Sequence, residues 1–169
     1  MADYTNFSAE QKAEFERRLN IVIAEEEELI FPRFDSETAW DIGHLIIEEG
    51  KKRGYKMALR ISMGEQILFQ YSLPGTKAGN EVWLNRKTRT VYEFGESTEK
   101  VGLYHAYMGR DFYETPWIDP FTVTKHGGGF PIRVQNSSAV IGAFAMSGAH
   151  GAEHGFIVEM IREFLKTAK

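Results

Sequence analysis

The stretch from His126 to Gly148, HGGGFPIRVQNSSAVIGAFAMSG, decides the fold. It opens on Gly127, Gly128 and Gly129, where the missing Cβ lets the backbone take positive φ or another segment come close. Phe130, Ile132 and Val134 then alternate with Pro131, Arg133 and Gln135, the period of a half-buried strand. Gln135-Asn136-Ser137-Ser138 is turn chemistry. Val140 to Met146 follow as a mostly apolar run with Gly142 inside it, short enough for a central strand. Gly148 closes the run. The stretch predicts a glycine-rich loop feeding a β-hairpin that forms the middle of a sheet.

The same period recurs upstream. Tyr55, Met57, Leu59 and Ile61 alternate with Lys56, Ala58, Arg60 and Ser62; Ile67, Phe69 and Tyr71 alternate likewise, and Met63-Gly64-Glu65 between the two runs predicts a second hairpin. Helical spacing fills the rest. A helix is expected over 8–28, with Ser8 and Gln11 as a capping box and Phe15, Leu19, Val22 and Ile23 on one face. Its Glu25-Glu26-Glu27-Glu28 end reads as a solvated terminus. Leu29 to Phe34 read as an apolar connector around Pro32. A second helix starts at Asp35 or Ser36, buries Ala39, Ile42, Ile46 and Ile47, and stops at Gly54. A third runs from about Lys77 to Phe94 and is closed by Gly95, with Val82, Val91 and Phe94 as apolar contacts. A fourth runs from Ser97 or Thr98 to Met108, before Gly109. Phe156, Ile157, Met160, Ile161, Phe164 and Leu165 give the last helix its apolar face. Strands joined by short turns are antiparallel neighbours, and helices between and after the hairpins can cover both faces. The fold class is therefore α+β, an α-β-α three-layer sandwich around a central antiparallel sheet.

A chain of 169 residues suits a single domain with a sizeable core. The net charge of −4 gives no broad attraction for phosphate backbones, so nucleic acid is not an expected partner. The absence of cysteine excludes disulfides, thiolate metal sites and a cysteine nucleophile. No apolar run reaches membrane-helix length, and MADYTNFSAEQK has no signal-peptide core, so no membrane is expected and the expected location is cytoplasmic.

Four segments carry a resemblance: YSLPGT at Tyr71 to Thr76, NEVWLNRK at Asn80 to Lys87, HGGGFPI at His126 to Ile132, and VIGAFAMSG at Val140 to Gly148. In order and spacing they resemble the haem-degrading-domain family, also called GlcG-like or HbpS-like, and within it a cytosolic branch with no assigned reaction. The resemblance covers about 36–169, leaving 1–35 as an N-terminal helical extension. It implies a sandwich related in shape to profilin and assembly into dimers or larger rings. Some relatives bind haem or promote its breakdown, so haem is a possible cofactor; no haem ligand is carried over to this chain.

The candidate ligand-binding residues are Trp83, Arg86, Lys87, His126, Gly127 and Gly128. Trp83, Arg86, Lys87 and Thr90 fall at i, i+3, i+4 and i+7, so one helix face joins an aromatic ring to two cations, suited to a planar or anionic molecule. The glycines can add backbone N–H donors. The competing reading makes Trp83 core, the cations subunit-contact partners and the glycines a tight turn. His150, Glu153 and His154 spell H-x-x-E-H, but the flanking glycines and the lack of a third ligand argue against a zinc protease, and no metal is assigned. His105 is a lone candidate for haem iron, His44 a packed or surface histidine, and Ser147 a cap for the last helix or turn. Residues 110–125, with Phe112, Tyr113, Trp117 and Phe121, are a loop that either covers a site or meets another subunit. Three functions follow: an oligomeric small-ligand, possibly haem, binding protein; a cytosolic homo-oligomeric scaffold with no small ligand; or an enzyme built on the Trp83 cluster.

Overall fold

The structure, a computed structural model, describes residues 7–167. Its sheet has four antiparallel strands: β1 (Ala58–Met63), β2 (Gln66–Ser72), β3 (Gly129–Ile132) and β4 (Gly142–Ser147), in the order β2-β1-β4-β3. Both expected ribbons form and lie side by side, joined through β1 and β4, with Leu59 opposite Met146 and Ile61 opposite Phe144. Of the 126–148 hairpin, β4 is interior and β3 is an edge. Pro131, which has no N–H to give a ladder, suits an edge strand.

Helices α1 (Ala9–Glu28), α2 (Ser36–Lys52), α3 (Ala78–Phe94), α4 (Thr98–Tyr107) and α5 (Glu153–Thr167) complete the fold. The period of two in the strands sorts side chains between two unlike faces. Leu59, Ile61, Phe130, Ile132, Phe144 and Met146 point to α2 and α5, where they join Ile42, Ile46, Ile157 and Ile161 in the main core. The opposite face carries Ala58 and Ala145 under Leu84, so small side chains let α3 settle close to the sheet. That cover buries all four residues of β3, where alternation alone predicts a half-buried strand. Beyond Ile132 the chain leaves β4 and pairs instead with the connector: Phe31 N–H donates to the Arg133 carbonyl, and Gln135 N–H donates to the Phe31 carbonyl.

Helix α1 starts at the Ser8 capping box and packs on α4 through Leu19, Val22 and Leu103. Its acidic end is solvated only in part, with Glu27 and Glu28 exposed and Glu25 and Glu26 turned inward. Glu25 meets His154 at 2.9 Å, Glu28 takes a bidentate pair of bonds from Arg162, and buried Glu26 accepts the Ser97 N–H at 2.8 Å with Lys100 and Arg133 nearby. These contacts replace the water that a run of like charges would otherwise need. Val82, expected as an apolar contact of α3, is exposed.

Candidate functional site

The end of the sheet where β3 begins and β4 ends is where α3 and the triple-glycine bend meet. A cavity of about 550 Å³ opens there, lined by Trp83 and Lys87 of α3, His126 and Gly127 of the bend, Ser147, and Glu153 of α5. Arg18, Glu99 and Lys125 complete its charged rim. A larger cavity of about 610 Å³ lies beside Phe31, Asp35, Asp41 and Phe164, but its titratable side chains are all exposed and Asp35 is engaged in capping α2. The smaller cavity holds the buried charge.

Lys87 is that charge. Its side chain is 4 % exposed, and its ammonium donates to the Met146 carbonyl at 2.6 Å. Among the described residues no carboxylate pairs with it. Burial pushes its pKa down to about 8, opposed in part by the negative charges of Glu153 and Glu99. The two nearby carboxylates are held by other partners. Glu153 accepts the N–H groups of Gly148 and Ala149 at 3.2 Å and of Gly151 at 2.8 Å, closing the loop that leads into α5. Glu99 accepts from Arg18 at 2.8 Å.

Above the lysine, Gly128 takes φ +112, and a Cβ there would lie 2.8 Å from the Lys87 Nζ and from the Met146 carbonyl oxygen. At Gly127 a Cβ would meet the Glu99 carboxylate and His154. Both positions need glycine for room, and Gly128 also for its backbone angle. The His126 ring stands edge-on to Trp83 with centroids 5.4 Å apart. Burial, then the positive charges of Lys125, Lys87 and Arg86, hold His126 below its ordinary pKa, so its imidazole is neutral at pH 7. Of the three cations in the lining, Arg18 pairs with Glu99 and Lys125 with Asp111, while Lys87 has no carboxylate partner among the described residues.

Arg86 goes elsewhere. Its guanidinium lies 4.6 Å from the Trp83 ring but donates to the carbonyls of Pro120 and Val123 and to the Tyr113 hydroxyl. Successive helical residues point about 100° apart, so Lys87 can enter the sheet side while Arg86 clamps the 110–125 loop. That loop buries Phe112, Ile118 and Val123 against Val101, while Trp117 and Phe121 stay exposed. Thr90 joins the clamp by accepting the Thr124 N–H at 2.8 Å.

The remaining candidates have structural partners. His150 sits in a turn with φ 54, outside α5, so it shares no helix face with His154. Ser147 caps nothing; its hydroxyl and carbonyl accept from the Asn80 amide. His105 is bonded through Nδ1 to the Val101 carbonyl and packs on Phe112, and His44 is bonded to Trp40 and packs on Phe69. Arg18, Glu99, Lys125 and Glu153 enter the cavity from four segments distant in the chain. No local spacing announces them, although the Asn80-to-Lys87 motif already contains both Asn80 and Lys87.

An α+β sandwich whose edge cavity combines an aromatic wall, a neutral imidazole and a buried cation defines the class structurally. The chain belongs to the HbpS-like haem-degrading protein family, whose family model matches residues 34–161. It is 36% identical over 143 residues to a UPF0303 protein of Streptomyces avermitilis, covering 84% of this chain and 87% of that one. A UPF0303 protein of Acidobacterium capsulatum is 34% identical over 142 residues, covering 83% of this chain and 86% of its own. Among solved structures, the Ybr137w protein superposes with a TM-score of 0.80 at 23% identity over 88% of this chain and 87% of that one. PduOC, solved as a haem complex, superposes at 0.60 and 12% identity, over 81% and 94%. At those identities the two structures share the fold.

Proposed function

We propose that this protein binds a small planar anion in the cavity between Trp83, Lys87 and His126. The observation that carries the reading is the Lys87 ammonium: buried, lining a cavity and held, among the described residues, by a backbone carbonyl alone. A buried cation left without an acid is costly, and a bound anion would neutralise it. The Trp83 ring offers a flat apolar wall, and Gly127 lines the cavity without a side chain. Arg86 serves this site by fixing the adjoining loop and Trp83 rather than by touching the ligand.

Haem is one candidate, since a fold neighbour was solved with it. Among the described cavity residues, His126 is the side chain suited to iron, and its neutral state is the form that ligates. His126 would hold haem through its iron, and Lys87 would meet a haem carboxylate. Bound there, haem would supply an iron centre for electron or oxygen chemistry.

Titration with hemin and separately with benzoate tests the reading. One-to-one binding of benzoate, weakened at least tenfold in Trp83→Ala and Lys87→Met, supports the site; a Soret shift abolished in His126→Ala adds haem. Affinities unchanged in all three variants would place any ligand elsewhere. Self-association is a second reading, favoured by Trp117 at 65 %, Phe121 at 87 % and Trp40 at 57 % exposed. Light scattering on wild type and on Trp117→Ser with Phe121→Ser tests it: an oligomer reduced to monomer supports it, and a monomeric wild type overturns it. We propose a cytoplasmic location; no described helix is long and apolar enough to cross a membrane.

A further inference from the structure

We propose that Lys87 is a nucleophilic amine that forms a Schiff base with a small anionic carbonyl compound, an α-keto acid or an aldehyde acid, in this cavity. The inference rests on the anion-binding reading above and names the substrate class for the same site. A lysine buried for architecture alone is normally paired with a carboxylate. Here Glu153 is committed to three backbone N–H groups and Glu99 to Arg18, so the amine keeps a single partner, the Met146 carbonyl. A carbonyl oxygen accepts a proton from the amine without occupying its lone pair. The amine is reached from the cavity of about 550 Å³ that Lys87 lines beside Trp83 and His126.

The chemistry needs no oxidant, reductant or further reactant. The lone pair of neutral Lys87 attacks the carbonyl carbon; the C–N bond forms as the C=O π pair moves to oxygen. A proton passes from nitrogen to that oxygen, giving a carbinolamine. The hydroxyl takes the nitrogen's remaining proton and leaves as water while the nitrogen lone pair forms C=N. One water is released per imine. His126, neutral and lining the same cavity, is the group that can take up and return the proton. The substrate carboxylate lies near Arg18 and Lys125, which pair with Glu99 and Asp111, and its planar carbonyl end lies against Trp83.

The lowered pKa agrees with that role. At about 8, roughly a tenth of Lys87 is neutral at pH 7, against fewer than about one in a thousand for an ordinary lysine.

The test uses the full chain, glyoxylate and pyruvate as probes, and sodium cyanoborohydride to trap the imine, read by intact mass and peptide mapping. We expect one dominant adduct at Lys87, forming roughly tenfold faster at pH 7 than at any other lysine. Its rate should rise through a midpoint near 8. The groups facing the amine are Glu99, Glu153, Arg18, Lys125 and His126; the imidazole titrates below its usual value, so that midpoint belongs to the amine. Lys87→Arg should lose the adduct. Should that variant not fold, the mapped position of the wild-type adduct decides alone. Adducts spread over exposed lysines, or equal in Lys87→Arg, overturn the inference. Benzoate binding without a Lys87 adduct overturns it and leaves the anion site standing, whereas loss of both removes the two together.

Discussion

Replacing Lys87 with methionine should make the protein more stable. The Lys87 pKa falls from 10.5 to about 8 on folding. That difference means the ionised amine costs about 3 kcal/mol in the folded state relative to the unfolded chain. At pH 7 both states are mostly protonated, so nearly all of that cost is present. Methionine fills similar space and carries no charge, but gives up the bond to the Met146 carbonyl, worth about 1 kcal/mol. The net expectation is a gain of about 2 kcal/mol, or roughly 4–8 °C in Tm for a chain of this size. The pH dependence carries the sign. Between about pH 8 and 10.5 the folded amine loses its proton before the unfolded one, so the unfolded state binds more protons and wild-type stability rises. The methionine variant lacks this rise, so its advantage should shrink by about 1 kcal/mol between pH 7 and 9, and by about 2 kcal/mol by pH 10. Urea melts followed by far-UV circular dichroism at four pH values measure both proteins. A variant less stable than wild type at pH 7, with a gap that does not change with pH, would refute the burial argument. A residue that destabilises its own fold is retained for something other than the fold.

Arg86→Ala should free the 110–125 loop by removing its bonds to Pro120, Val123 and Tyr113, at a cost of about 2–3 kcal/mol. Limited proteolysis should then cut between Asp111 and Lys125 faster than in wild type. Gly128→Ala combines a φ of +112 with crowding of Lys87, and should lower stability by at least about 2 kcal/mol, read as a fall in Tm. Glu26→Gln weakens the buried contacts to the Ser97 N–H, Lys100 and Arg133 and should cost about 2–3 kcal/mol. Hydrogen exchange should quicken first in the helix over Ala9–Glu28.

The sheet was legible because alternation in 55–71 and 126–148 reports side-chain direction, and short turns dictate antiparallel pairing. Alternation was less informative about burial. Helices cover both faces, so Ala58 and Ala145 are as buried as Leu59 and Phe144, and the small residues mark a close helix rather than water. Of the candidate site, local spacing brought Trp83 and Lys87 together, and the glycine run supplied His126 and Gly127. Helical spacing did not separate Arg86 from Lys87, because a face wide enough to hold both also spans two destinations. Arg18, Glu99 and Glu153 were hidden for another reason: each reaches the cavity by tertiary contact alone. Three of the four glutamates ending the first helix, Glu25, Glu26 and Glu28, looked solvated because their partners, His154, Ser97 and Arg162, are all distant in sequence.

The central claim, a buried amine waiting for an anion, is tested most directly by carbon NMR of the lysine Cε positions during a pH titration. One resonance, assigned by its loss in Lys87→Arg, should titrate near 8 in the free protein, and its midpoint should move upward when benzoate binds and supplies the missing negative charge. A Lys87 resonance that titrates near 10.5 and ignores benzoate would contradict the account.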